Sequence, residues 1–169
     1  FAKPMPKHSI VGHLADTSQS ISIARLALQH VSRHRQTTPW ATEAGGQLFG
    51  ALNASQVCVT EASGPYAGDE RSRYRYRSNP GAAQRAIEDR HKRGLLYLGE
   101  WHTHAEDYPS ASGLDDDAMR RLIASSQLNS NSLLMMIVGR AQSAAGLAVW
   151  SVSSTAARRW ILSASQKET

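Results

Sequence analysis

Two histidines stand two residues apart, at His102 and His104, and Ser112 and Asp115 follow within the same stretch. Side chains two apart in an extended segment point to one face, so both imidazoles can reach a single ion. Between them and Asp115, Tyr108-Pro109-Ser110 and Ser112-Gly113 carry the residues that let a chain fold back. Two neutral nitrogens and one carboxylate, with a fourth position left for water, form the ligand set of a catalytic zinc centre. Ser112 with an acid three residues on also reads as a capping box opening a helix. The roles are compatible, because the ligand would then sit in that helix's first turn.

Upstream stands a second motif, Glu43-Ala44-Gly45-Gly46-Gln47-Leu48-Phe49-Gly50. A hydrolytic zinc centre needs a carboxylate beside its water to carry the proton from nucleophile to leaving group. By strand parity Glu100 also qualifies, since it shares the face of His102 and His104.

Together, Glu-x-Gly-Gly-x-Leu-x-Gly and the later His-x-His, Ser and Asp resemble the signature of the JAMM/MPN+ zinc metallopeptidases, the prokaryotic JAB type included. The likeness spans roughly residues 16 to 152. It implies one zinc per chain held by His102, His104 and Asp115, and it selects Asp115 over its neighbours Asp116 and Asp117. It implies Glu43 as the general base and then acid, leaving Glu100 structural, and Ser112 as the donor to the oxyanion. The fold implied is a single α/β/α domain with a mixed, curved sheet, of the kind also found in cytidine deaminases. The activity implied is hydrolysis of the peptide or isopeptide bond after the C-terminal glycine of a ubiquitin-like protein or its conjugate. Compact members of this kind are similar to deconjugases that accompany E1- and E2-like conjugation enzymes in antiphage systems. Other relatives trim sulfur-carrier proteins, sit in phage tails, or serve as silent interaction scaffolds that lack the ligands. A base deaminase would need paired cysteines, and Cys58 is the only cysteine.

The elements that must position these residues follow from length and pattern. A chain of 169 residues, 41% hydrophobic and 20% charged, fits one globular domain with its own core. We expect an arm or first strand over 1–15, the catalytic domain over 16–162 and a tail over 163–169. One cysteine allows no internal disulfide, which fits a reducing cytoplasm. The N-terminus shows neither an initiator methionine nor an apolar leader, as if the chain began inside a larger polypeptide. The longest apolar run, Leu133 to Val138, is too short to span a membrane. A net charge of +5 is a modest excess, and no nucleic-acid motif accompanies it, so nucleic acid is not an expected partner.

The periodicity predicts a helix over 18–35 with Ile23, Leu26, Ala27 and Val31 on its buried stripe. Its histidines, His30 and His34, then lie near the C-terminal end, where cations are favoured. A hairpin follows, Gln47 to Leu52 and Val57 to Glu61, with Glu43 near its entrance and Cys58 as a buried apolar residue. Arg71, Arg73, Arg75 and Arg77 alternate with Ser and Tyr, and one extended strand would put all four guanidinium groups on one face. That strip is a candidate substrate-binding surface for an acidic tail or a nucleic-acid backbone; the plain alternative is an edge strand guarded by charge. Asn79-Pro80 opens a second helix and Gly94 closes it. Leu95 to His104 reads as a central strand delivering its last side chains into the site. A third helix from Leu114, strands over 133–138 and 145–152, and a last element carrying Trp160 complete the chain.

Overall fold

The structure is a computed structural model that describes residues 9–110 and 132–165. Ser112 and Asp115, and the helix expected from Leu114, lie outside the described residues.

Among the described residues, four strands and one helix precede the arginine-rich segment: β1 (Ile10–His13), β2 (Ser20–Ile23), α1 (Arg25–Ser32), β3 (Gly45–Leu52) and β4 (Gln56–Ala62). The helix expected from residue 18 is shorter, because Ser20-Ile21-Ser22-Ile23 alternates polar and apolar and sends Ile21 and Ile23 into the core as strand β2. A bond from the Ala24 amide to the Val59 carbonyl ends that strand against β4. α1 then buries Ala27, Leu28 and Val31, while Leu26 stands 69% exposed, off the stripe assigned to it.

The arginine-rich segment is not one strand. It reverses at Arg73-Tyr74 into a hairpin of β5 (Glu70–Ser72) and β6 (Arg75–Arg77), in which Arg71 faces Tyr76 and Ser72 faces Arg75. Cross-strand partners share a face, so Arg75 and Arg77 lie on one side and Arg71 on the other.

Next come α2 (Pro80–Lys92) and β7 (Leu96–Thr103). α2 has the expected caps: the Asn79 side chain accepts from the Ala82 amide at 3.0 Å, Pro80 begins the helix, and Gly94 ends it in a left-handed conformation, φ 80°. The remaining strands are β8 (Ser132–Val138), β9 (Leu147–Ser153), β10 (Ala157–Arg159) and β11 (Ile161–Ala164).

Among the described residues, nine strands form one mixed sheet in the order β10-β9-β8-β7-β3-β4-β2-β1-β11. β7 is central, antiparallel to β3 and parallel to β8. The outermost strands, β10 and β11, are joined by Trp160 alone, which forces the sheet to curl until its two edges nearly meet. Trp160 is buried at that seam; its amide donates to Val149 O at 2.9 Å and its indole to Ser151 Oγ at 3.0 Å. Arg158 reaches across to the Ala15 carbonyl. The main core fills the inside of the curl with Leu48, Trp101, Met136 and Val149, and a second cluster of Met135, Ile137 and Trp150 covers the other face of β8 and β9. Among the described residues, no helix is long and apolar enough to cross a membrane.

Candidate metal and hydrolytic site

The alternation of β7 sorts its last residues by face. Trp101 and Thr103 turn inward and are buried, while His102 and His104 are half-buried on the opposite face. β3 lies alongside, with Gly45 opposite His102 and Gly46 opposite Trp101. The two glycines of the Glu-x-Gly-Gly motif have separate physical reasons. A Cβ on Gly45 would stand 2.5 Å from the Tyr76 ring, and one on Gly46 only 1.8 Å from the Ser63 carbonyl oxygen. Close approach at these positions brings the β5–β6 hairpin and the residues after β4 onto the strand that Glu43 precedes.

The histidine pair converges. The Nε2 atoms of His102 and His104 are 3.2 Å apart, and two nitrogens bound to one tetrahedral zinc would be separated by about 3.3 Å. His104 is oriented by Glu106, which sequence reasoning passed over: Nδ1 donates to Oε1 at 2.9 Å. That bond fixes the tautomer with the Nε2 lone pair turned to the shared point. The loop carrying Glu106 is docked on the turn after β8, because the amides of Arg140 and Ala141 donate to the Glu106 and Asp107 carbonyls at 2.7 and 3.1 Å.

Glu43 is 5% exposed and places Oε1 3.9 Å from His104 Nε2. Burial pushes its carboxyl up to about 7, so it can both accept and release a proton near neutral pH. Its backbone is held by the hairpin: the Glu43 amide donates to Ser72 O at 2.7 Å, and Arg71 Nε donates to Glu43 O at 2.7 Å. Arg71 is therefore a brace for Glu43. Arg73 lies against the Tyr74 ring, 5.5 Å from its centroid, whereas Arg75 and Arg77 are exposed.

The residues fit a zinc ion as far as they are described: two convergent imidazoles, one with its outer nitrogen tied to a carboxylate, and a buried acid beside them. Among the described residues no cluster of three potential ligands forms; Asp115, the expected third, falls outside them.

Glu100, the rival base, is engaged elsewhere. It accepts from Tyr97 Oη at 2.9 Å and Gln47 Nε2 at 2.6 Å, and loss of hydration pushes it up to about 8. His30 lies in the last turn of α1 and His34 two residues beyond the helix, as the spacing implies, but burial lowers the pKa of both, against the positive charge expected there. Their rings pack near Trp101, at centroid distances of 5.9 and 5.8 Å, and burial holds His34 down at about 4. Cys58 is half-buried in β4.

Comparison with known proteins follows the same lines. The family described as prokaryotic homologs of the JAB domain matches residues 24–158. A CD-NTase/cGAS isopeptidase of Pseudomonas aeruginosa is 32% identical over 128 residues, covering 74% of this chain and 80% of the relative. A protein of the same name from Vibrio cholerae is 36% identical over 110 residues, covering 63% and 68%. Another from Escherichia coli is 30% identical, covering 74% and 80%. In fold, the chain is similar to a Desulfitobacterium hafniense protein solved in solution, with a TM-score of 0.58, 22% identity, and coverage of 82% of this chain and 88% of that one.

Proposed function

Because the chain belongs to the prokaryotic JAB-domain family, we propose that it is a zinc-dependent isopeptidase. It would hydrolyse the amide bond joining the C-terminus of one protein to an amine of another. The relatives' name directs the substrate toward conjugates of a CD-NTase/cGAS protein; the sequence motifs direct it toward ubiquitin-like conjugates in general. Conjugation enzymes of E1 and E2 type would make the bond that this protein cuts, in the cytoplasm. The observation that carries the reading is the buried Glu43 carboxylate, 3.9 Å from the Nε2 of a histidine whose partner's Nε2 is 3.2 Å away.

His102 and His104, with Asp115, would hold the ion, and zinc when bound supplies a positive charge that acidifies water and polarises a carbonyl. Glu43 takes a proton from the attacking water and delivers it to the departing amine, so no covalent intermediate with the protein is needed. Glu106 keeps the His104 ring turned to the site. Ser112 would donate to the carbonyl oxygen as its charge grows.

The test is zinc content together with cleavage of a CD-NTase or ubiquitin-like protein joined through its C-terminus to a reporter, for wild type and Glu43→Ala. Both proteins should carry about one zinc, and only wild type should cut. Zinc without cleavage of either probe would leave the centre standing and replace the substrate class with sulfur-carrier or phage-tail proteins. Neither zinc nor cleavage would make the chain an interaction scaffold.

A further inference from the structure

Gln36 is 1% exposed, though it lies in the irregular segment between α1 and β3. A buried amide is costly unless its donors and acceptor are matched, and here they are matched on three separate segments. Nε2 donates to Ala41 O at 3.2 Å and to Arg73 O, at the turn of the β5–β6 hairpin, at 2.9 Å. Oε1 accepts from Thr103 Oγ1 at 3.0 Å, and Thr103 is the fully buried residue between His102 and His104.

These bonds close a circuit. The Thr103 hydroxyl also accepts from the Ala44 amide at 2.9 Å, and the Thr103 amide donates back to Ala44 O at 2.8 Å. Ala44 is the residue after Glu43, whose own amide donates to Ser72 O, next to Arg73. Passing from Gln36 through Thr103, Ala44, Glu43, Ser72 and Arg73 returns to Gln36. Glu43 is on the circuit, and the histidine pair flanks Thr103.

We propose that Gln36 is a positioning residue: by tying the hairpin turn to the strand between the histidines, it sets the place of Glu43 relative to them. This deepens the isopeptidase reading and, for its effect on rate, rests on it. None of the three hydrogen bonds of Gln36 goes to either histidine or to the Glu43 carboxylate. Its influence runs through the backbone on both sides of Glu43, where a displacement of about 1 Å is enough to cost a large part of the rate.

Two near-isosteric variants test the circuit from opposite sides: Gln36→Met removes its three bonds, and Thr103→Val removes the hydroxyl that Gln36 accepts from. With the full chain and the fusion probe, kcat should fall at least about ten-fold in either variant, with KM and zinc content unchanged. The double variant should lose no more than the worse single one, as expected of two parts of one device. Amide hydrogen exchange gives a readout independent of catalysis. The Glu43 and Ala44 amides should exchange faster in Gln36→Met while β8 amides stay protected. Unchanged kcat with unchanged exchange at Glu43 would overturn the proposal. So would a loss of kcat accompanied by equal loss of zinc and of β8 protection, which marks a folding defect. If Gln36→Met does not fold, Thr103→Val decides the same question. If wild type cuts neither probe, the isopeptidase reading falls and the exchange comparison alone confirms or removes the circuit.

Discussion

A single carboxylate decides which nitrogen of His104 faces the site. Glu106 sits at 2.9 Å from Nδ1, and an acceptor there holds the proton on that nitrogen, leaving the Nε2 lone pair free for the proposed ion. Removing it in Glu106→Ala frees the ring to rotate and to protonate on the wrong side. Zinc affinity should then drop roughly ten- to a hundred-fold, measured by competition with a chromophoric chelator, with the thermal midpoint of the metal-free protein little changed. Equal affinity in the variant would mean that the ring is held by its packing alone. The convergence of His102 and His104 was legible in the sequence because two-residue spacing on a strand has one geometric meaning. Glu106 was not, since an acid in a polar loop has no periodic context and only the docking of that loop on Arg140 and Ala141 aims it at the ring.

Elements were legible where local chemistry and tertiary demand agree. The caps of α2, the β3–β4 hairpin and the apolar-then-polar run of β7 all stand as the pattern implies. β2 was hidden inside a helical expectation because Ile23 also fits the apolar stripe that continues into α1, and the choice is made by pairing with β4. The arginine hairpin was hidden for the converse reason. Its alternation continues without interruption through a turn that contains no glycine, proline or asparagine, so the reversal is imposed by Gln36 and Glu43 binding the turn from below. The reversal changes which charges can act together. Arg75 and Arg77 share a face and are exposed, whereas Arg71 braces Glu43. If the hairpin meets an acidic segment of the substrate, Arg75→Glu with Arg77→Glu should raise KM several-fold, more at low salt than at high, because exposed pairs contribute about 0.2–1 kcal/mol each and are screened. Zinc content should not move. A KM unchanged at low salt would reduce the hairpin to a support for Glu43.

The whole molecule is a curled sheet that must keep polar groups dry along the face that carries the site. Gln47 lies on β3 opposite Glu100 and links it to Tyr66 and Ser78; Tyr97 binds the carboxylate's other oxygen, and Tyr76 extends the chain of bonds to Asp69. Such a network specifies one arrangement of β3, β7 and the hairpin, but it holds an acid where hydration is lost. Loss of hydration is the main reason Glu100 is raised from 4.5 to about 8, against the hydrogen bonds from Tyr97 and Gln47, which oppose the rise. The sign follows from proton counting. Between those two values the folded chain keeps a proton that the unfolded chain has released, so stability from this group is fully present below about pH 4.5, declines as pH rises, and is lost above about pH 8. Glu100→Gln keeps the shape without the charge: its carbonyl can accept from Gln47 while its amide donates to the Tyr97 hydroxyl. Relative to wild type, the variant should be little changed near pH 5 and more stable near pH 9, with the advantage growing across the interval to on the order of a few kcal/mol. Urea unfolding of both proteins at several pH values measures this, and the difference between them isolates Glu100 from the other acids, Glu43 included. A constant offset across the interval would show that Glu100 stays ionised in the folded chain, and the network would then be stabilised by charge-assisted bonds instead of a retained proton.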